Sequence, residues 1–480
     1  MSPRMHRSHR AAGALVGSAV GDALGAPFEF GPPGQFTARF PAPARGARTE
    51  MCGGGPLDRE PGEFTDDTQM ALLVATSLMA RGGLDEADLF DRFLRWAAAD
   101  PPDVGEQTRA VLGSGLPWHA AAADHVRRSG RAAGNGSLMR TTPAAVRFAR
   151  DGREATMDAA RRISALTHGD PAAGEGCAVM HELVRVALDG GDPLDAVPAA
   201  LASVAGEHRA RYAEVLAPDW TPHPGAPNGA VWPTLGSAVW ALRQGTSFAD
   251  VLRLVVDLGG DTDTVAAVAG GLAGAVYGMG GIPMRWSSVV HGRVPGHGER
   301  VWRLADLQQL AAALDGGAQQ SYDAGVIPRI GPREVLPGIW AGNLDGARYS
   351  EQDFAVISLC RLGEPFPHGL HRMAHIADDD SNTDLDTVLA DVLDDMAALR
   401  AEGHRLLVHC HGGASRTGLV LRAWLVREEG MTAAEATAHV AERWPHLGLW
   451  NDSFTAALAR LEPRPRVNPP VPQLRGDVPG

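Results

Sequence analysis

The stretch FTDDTQMALLVATSLMA, residues 64–80, sets two adjacent carboxylates, flanked by threonines, ahead of an apolar run at helical spacing. Adjacent aspartates repel each other, and a helix start needs only one cap, which Thr65 or Asp66 can supply. Roughly 200 residues on, DLGGDTDTVAAVAG (257–270) repeats the device, with Asp261, Thr262, Asp263 and Thr264 at the mouth of another apolar helix. Together the stretches offer Asp66, Asp67, Asp261 and Asp263 with Thr65 and Thr264. All are hard oxygen donors, which select Mg2+, Mn2+ or Ca2+ over zinc. Four carboxylates balance the charge of two divalent ions, and a near-neutral two-ion centre can admit an anionic substrate. Such a pair lowers the pKa of bound water and clamps oxygens around a reacting carbon.

Outward from these stretches, residues 10–315 are Ala, Leu and Val at helical spacing broken by Gly-rich loops, with little strand-like alternation. The pattern predicts an all-α domain over residues 8–316, followed by a linker over 317–332. After that, β-branched runs such as AVISLC (355–360) and RLLVHC (405–410) alternate with helical patterns, predicting an α/β domain with a mostly parallel central sheet over 333–462. The remaining residues, 463–480, are Pro-rich and expected to be disordered.

The 480 residues exceed what one core usually serves, in keeping with two domains. All 44 basic residues are arginine, which excludes Schiff-base lysine chemistry and a Walker-type phosphate lysine. A net charge of −13 argues against a general nucleic-acid binder. The four cysteines form no CxxC pair, which speaks against a structural zinc site and for a reducing cytoplasm. The N-terminal RSHRAAGALVGSAVGDALGA has a basic start like a secretory signal, but its apolar part is weak, glycine-broken and interrupted by Asp22. No run is expected to approach the roughly 20 apolar residues of a membrane span.

Read in order, GSAVGDALGAPFEF (17–30), TDDTQM, GNGSLMR (134–140), ALTHGDPAA (165–173) and GGDTDTVAAVAGGLAGA resemble the ADP-ribosyl-glycohydrolase family, which includes the dinitrogenase-reductase-activating glycohydrolases. The resemblance spans about residues 8–315. It implies an all-α fold, two Mg2+ or Mn2+ ions, and hydrolysis of the bond joining ADP-ribose to an acceptor on a protein or small compound. It also implies that Thr65, Asp66, Asp67, Asp261, Asp263 and Thr264 are the metal ligands. Glu29 would be the acidic residue that can swing into the metal site. The backbone of Gly134, Asn135, Gly136 and Ser137 would meet the diphosphate or ribose, and His168 would line the pocket. Asp22 would be structural.

A second constellation lies in LLVHCHGGASRTG, residues 406–418. A strand delivers Cys410, a Gly-rich loop folds its N–H groups around a tetrahedral anion, and a helix beginning near Thr417 adds its positive end. Arg416 can grip two phosphate oxygens, and the positive surroundings favour a thiolate nucleophile. With VLPGIWAGNL (335–344) this part resembles the dual-specificity class of protein-tyrosine phosphatases. The resemblance implies attack by Cys410 on phosphorus, a phosphocysteine intermediate, transition-state stabilisation by Arg416 and thiolate release aided by Thr417. His409 would orient the loop. The general acid should lie about 30 residues upstream in HIADDDSNTDLD. Spacing to the next helix favours Asp379, distance from Cys410 makes Asp378 nearly as good, and Asp380 also stands in the run.

The resulting expectation is a cytoplasmic hydrolase that joins an Mg2+-dependent ADP-ribosyl hydrolase to a Cys-dependent phosphatase acting on a phosphorylated protein or small phosphomonoester. Two alternatives stay open at this stage: a phosphatase-like domain that only docks phosphorylated partners, or an ADP-ribose-binding scaffold carrying an active phosphatase.

Overall fold

The computed structural model describes residues 5–130, 132–317, 328–362, 366–380, 382 and 384–464. The N-terminal part is helical and is organised by one close helix pair. Helix α1 (Arg7–Gly25) is buried from Ala11 to Gly25. It packs on α4 (Thr262–Gly281), which is interrupted only near its end by a left-handed Gly278. Glycines every fourth residue of α1 make this approach possible. A Cβ at Gly17 would lie 2.4 Å from the Gly270 carbonyl oxygen, and one at Gly21 would lie 2.0 Å from that of Ala266. The pairing is antiparallel, so the C-terminal end of α1 meets the N-terminal end of α4, where Gly25 touches Thr262 and Asp263.

Helix α2 (Asp66–Arg81) starts beside this junction. Thr65 is its N-cap and accepts from Asp67 N–H at 3.4 Å. Asp22 of α1 holds the same start, accepting from Thr65 N–H (3.0 Å), Thr68 N–H (3.0 Å) and Thr68 Oγ1 (2.6 Å). Helix α3 (Pro171–Leu188) is capped by Asp170 and adds to the same core. The domain is helical as expected, with one short antiparallel pair, β1 (His291–Arg293) with β2 (Val301–Arg303), beside the helices.

By length and composition two helices, Arg7–Phe28 and Thr262–Gly281, could cross a membrane. This corrects the expectation that no run comes near that length, because Gly and Ala keep the runs apolar despite their small side chains. Their apolar windows are 94% and 78% buried within the protein, as core helices are.

Among the described residues the C-terminal domain has five strands, β3 (Arg333–Leu336), β4 (Ile339–Gly342), β5 (Ala355–Ser358), β6 (Leu370–Met373) and β7 (Leu406–His409), in the order β3-β4-β7-β5-β6. All neighbours are parallel except β3 and β4. Helices α5 (Leu385–Ala401) and α6 (Ser415–Glu429) pack against it in a second core. Of the segment read as a linker, 318–327 lies outside the described residues. Residues 328–332 already belong to this domain: Asn343 donates to the Pro328 carbonyl (2.9 Å) and accepts from Ile330 N–H (3.0 Å). Of the tail read as disordered, 465–480 lies outside the described residues.

The two domains meet through a half-buried and a buried arginine. Arg45 contacts Asp391 (2.8 Å) and Asp395 (3.2 Å). Arg285, held by Glu50 (2.9 Å), also faces Asp391 (3.6 Å).

Candidate active sites

The antiparallel helix pair and the start of α2 bring three chain segments to one point. Asp66 and Asp67 come from the first turn of α2, and Asp261, Asp263 and Thr264 from the start of α4. Glu29 stands just past the 3-10 turn that ends α1. Thr264 Oγ1 donates to Asp67 Oδ1 at 3.4 Å, while Asp67 Oδ2 is buried with no hydrogen-bond partner. Asn135 donates to Asp261 Oδ2 at 2.8 Å, and Asn228 accepts from Asp261 N–H at 2.9 Å. Ligand oxygens of Glu29, Asp103 and Asp263 lie within 4.8 Å of one another.

Such crowding is costly for charge. Burial, then Asp103 and Asp22, pushes the Asp66 carboxyl well above its ordinary range, and burial with Asp263 does the same to Asp67. Asp263 is raised by burial and Asp261, and Glu29 is pushed up to about 8 by burial and Asp103. Arg59, at 3.5 Å, and Arg109 act on Asp103, and Arg140 acts on Asp66; otherwise the acids face one another. Buried carboxylates without cationic partners are the electrostatic signature of a cation site.

The Gly134–Ser137 loop borders this cluster. Gly134 bridges to Ala230, and Asn135 N–H donates to the Gly229 carbonyl at 3.1 Å. The His168 ring lies against the loop, 3.4 Å from where a Cβ on Gly134 would sit and 3.1 Å from one on Gly136, so a side chain at Gly136 would press on the imidazole. His168 is buried, bonds Thr167 Oγ1 through Nδ1 (2.8 Å), and is held well below its ordinary value by burial and Arg140. It is therefore neutral. The Ser137 side chain turns into the core, accepting from Ser164 Oγ at 2.8 Å, so only its backbone can face a ligand.

The second site lies at the C-terminal end of β7. Cys410 follows the strand, Gly413 takes a left-handed turn (φ 71°), and α6 starts at Ser415, two residues earlier than expected. Trp444 Nε1 donates to the Gly413 carbonyl at 2.8 Å, turning that oxygen outward from the loop. His409 Nε2 bonds Ser358 Oγ (2.6 Å), which also bonds His371 Nε2 (2.7 Å). Phe366 stacks on both imidazoles. Arg416 reaches the carbonyl of Ile376 with Nη1 (3.2 Å), but its buried Nε has no hydrogen-bond partner, nor has the buried Thr417 Oγ1. Two unpartnered donors beside a cysteine fit an anion.

The aspartates upstream separate clearly. Asp378 accepts from Ser415 Oγ at 2.6 Å and lies 3.9 Å from Arg416 Nε. Asp379 and Asp380 are exposed. Spacing to the following helix favours Asp379, whereas the loop turns Asp378 toward α6.

The comparisons agree with this geometry. The ADP-ribosylglycohydrolase family model matches residues 3–322, about two thirds of the chain. The chain belongs to the ADP-ribosylglycohydrolase family. The model of the dual specificity phosphatase catalytic domain matches residues 356–464. Among curated relatives, the ADP-ribosyl-[dinitrogen reductase] glycohydrolase of Rhodospirillum rubrum is 33% identical over 314 residues, 65% of this chain and 99% of that protein. The ADP-ribosylarginine hydrolase Tri1 of Pseudomonas putida is 32% identical over 58% of this chain and 73% of its own. A solved structure described as an ADP-ribosylglycohydrolase-related protein complex is 37% identical, with a TM-score of 0.52, over 65% of this chain and 98% of its own. The glycohydrolase domain and the phosphatase domain therefore each have their own relatives, and the chain is a hydrolase.

Three groups escape a reading of the glycohydrolase motifs. Asp103 stands alone in a Pro-rich loop, DPPDVGE, with no periodicity to mark it. Asn228, in GAPNGA, offers the same Gly/Asn signal as the 134–137 loop. Arg59, whose contacts reach both Glu63 and Asp103, carries no signal at all.

Proposed function

We propose that the chain is a bifunctional hydrolase. The glycohydrolase domain breaks the glycosidic bond between ADP-ribose and an acceptor, and the phosphatase domain hydrolyses a phosphomonoester through Cys410. The first half rests on the mutual repulsion of Asp66, Asp67, Asp261 and Asp263, with Thr65 and Thr264 in contact with Asp67 and Asp67 Oδ2 left unpartnered. That all-oxygen set fits two Mg2+ or Mn2+ ions. Bound cations would supply Lewis-acid polarisation of substrate oxygens and charge compensation for the carboxylates. Around them, Asn135 orients Asp261, while Glu29 and Asp103 are placed to orient a nucleophilic water. Gly134, Gly136 and His168 form a close wall against which the ribose and diphosphate would lie. Because one relative is named for ADP-ribosylarginine, arginine is the first acceptor to test.

In the second site Cys410 Sγ attacks phosphorus while the leaving oxygen takes the proton of Asp378. Water then attacks the phosphocysteine, giving its proton back to Asp378, and the thiolate departs with help from Thr417 O–H. Arg416 compensates the equatorial oxygens throughout. Because Cys410 must stay reduced for this chemistry, we place the enzyme in the cytoplasm.

Arginine-ADP-ribosylated peptide incubated with Mn2+ should release free ADP-ribose with wild type and not with Asp66→Ala. No metal-dependent release from arginine-, serine- or O-acetyl-linked ADP-ribose would remove the hydrolase reading. Wild-type turnover of p-nitrophenyl phosphate, lost in Cys410→Ser, supports the phosphatase. Its absence in wild type would favour a domain that only docks phosphorylated partners.

A further inference from the structure

The loop that carries Asp378 is fastened to the other domain. β6 is an edge strand, and edge strands leave a row of amides and carbonyls without sheet partners. Here the glycohydrolase domain covers that edge. Met373 N–H donates to Ser288 Oγ at 2.7 Å, and Ser288 Oγ–H in turn donates to the Met284 carbonyl at 2.6 Å, which fixes the hydroxyl's direction. Arg372, buried, donates to the Gly46 carbonyl at 2.7 Å. Two residues on, His375 packs edge-on against His9 of α1, with ring centroids 5.0 Å apart, and accepts from Arg361 Nε at 3.1 Å on its other side. Ile376 then gives its carbonyl to Arg416, and Asp378 meets Ser415. Between the sheet and Arg416 the segment is thus held from both domains: Ser358, Arg361 and Asn382 fix it from its own side, and Gly46, Ser288 and His9 fix it from the glycohydrolase domain.

The anchors are rigid. Ser288 follows the one-turn helix Met284–Ser287, whose Met284 N–H is itself bound by Asp391 at 2.8 Å. His9 lies in the first turn of α1, the helix locked by its glycine stripe to α4. Only two residues separate His375 from Asp378, so a small displacement at the first is transmitted to the carboxyl of the second.

We propose that Ser288 and His9 are positioning residues for the phosphatase general acid, so that the glycohydrolase domain completes the phosphatase site. Neither touches substrate; each holds the strand and loop that aim Asp378. The inference rests on the reading of Asp378 as the acid.

Leaving groups separate aim from fold. Phenol, with a pKa of about 10, needs a proton as it departs, whereas 2,4-dinitrophenol is acidic enough to leave without one. In the full-length protein, Ser288→Ala and His9→Ala should each lower kcat/KM, which covers the steps up to formation of the phosphocysteine, about 10-fold on phenyl phosphate and less than about 2-fold on 2,4-dinitrophenyl phosphate. His9→Phe, which keeps an aromatic ring against His375, should recover most of the loss. Equal losses on both substrates would show general damage, and no loss on either would show that the contacts do not aim the acid; both overturn the proposal. If Asp378→Asn itself shows no leaving-group split, the acid assignment has fallen and the inference with it. If wild type turns over neither substrate, the phosphatase reading has fallen, which is a different result.

Discussion

Among the carboxylates of the glycohydrolase site one buried acceptor, Asp67 Oδ2, is left without a hydrogen-bond partner, with Arg59 Nε also unpartnered at the rim; at the phosphatase site the orphans are donors, Arg416 Nε and Thr417 Oγ1. The first site gathers carboxylates that burial and mutual repulsion push toward protonation. The second gathers a guanidinium and a helix start around a thiol. On the proposed function, one chain carries two hydrolytic sites of opposite electrostatic demand, one for cations and the other for a bare anion. They stand at opposite ends of α1: Glu29 lies past its C-terminus, and His9 faces the acid loop from its first turn. Nineteen residues at about 1.5 Å each put roughly 28 Å between them. The two chemistries are separable by distance as well as by charge, even though the domains share buried ion pairs.

The sharpest way to break this comparison is to disarm each site in turn. Cys410→Ser should lower phosphatase turnover by more than about 1,000-fold and leave ADP-ribose release unchanged, with Asp263→Ala doing the reverse. Cross-inactivation in either direction would mean that the sites are not independent. A smaller effect sharpens the assignment of the acid: Asp378→Asn should cost about 100-fold on phenyl phosphate, and Asp379→Asn less than about 3-fold. The opposite ranking would restore the choice made from spacing. For the helix pair that separates the sites, Gly21→Val forces a side chain into the Ala266 carbonyl, which should cost about 3 kcal/mol in thermal or urea unfolding. A neutral result would mean that α1 and α4 can move apart.

The last difference is one of pH. A carboxyl raised in the fold keeps a proton that the unfolded chain has released. The Glu29 environment, raised to about 8, therefore destabilises the metal-free protein as pH climbs from about 4.5 toward 8. The phosphatase domain behaves oppositely. Burial, then the neighbouring His409, holds His371 at about 3, and burial holds His409 there as well, so the folded state refuses protons that the unfolded chain takes up. That stability is present above 6.5 and is lost as pH falls below it. Melting temperatures at pH 5, 6.5 and 8 should show losses on both sides, with Mn2+ restoring only the alkaline side.

Much of this was legible in the sequence because the motifs are wasteful as structure. A helix start does not need TDDT or DTDT, and the spacing of Cys410 and Arg416 after a strand has a direct anion-binding meaning. What escaped was set by contacts distant in the chain. Asp378 is chosen over Asp379 by Ser415, 37 residues away, and no local property of DDD encodes that choice. Asp103 has neither period nor partner in its own segment. Arg45, Arg285 and Asp391 read as ordinary surface charges and become a buried seam only when the domains meet. The glycines of α1 stood in a quoted motif, but their purpose, backbone against backbone, needs the partner helix to be seen.

The most direct test follows both reactions in one preparation of the full-length protein while EDTA is added. The account predicts that release of ADP-ribose from arginine-ADP-ribosylated peptide falls to background and returns with Mn2+, while p-nitrophenyl phosphate turnover is unchanged throughout. ADP-ribose release that persists in EDTA, or phosphatase turnover that falls with it, would contradict the assignment of one cation site and one anion site to a single chain.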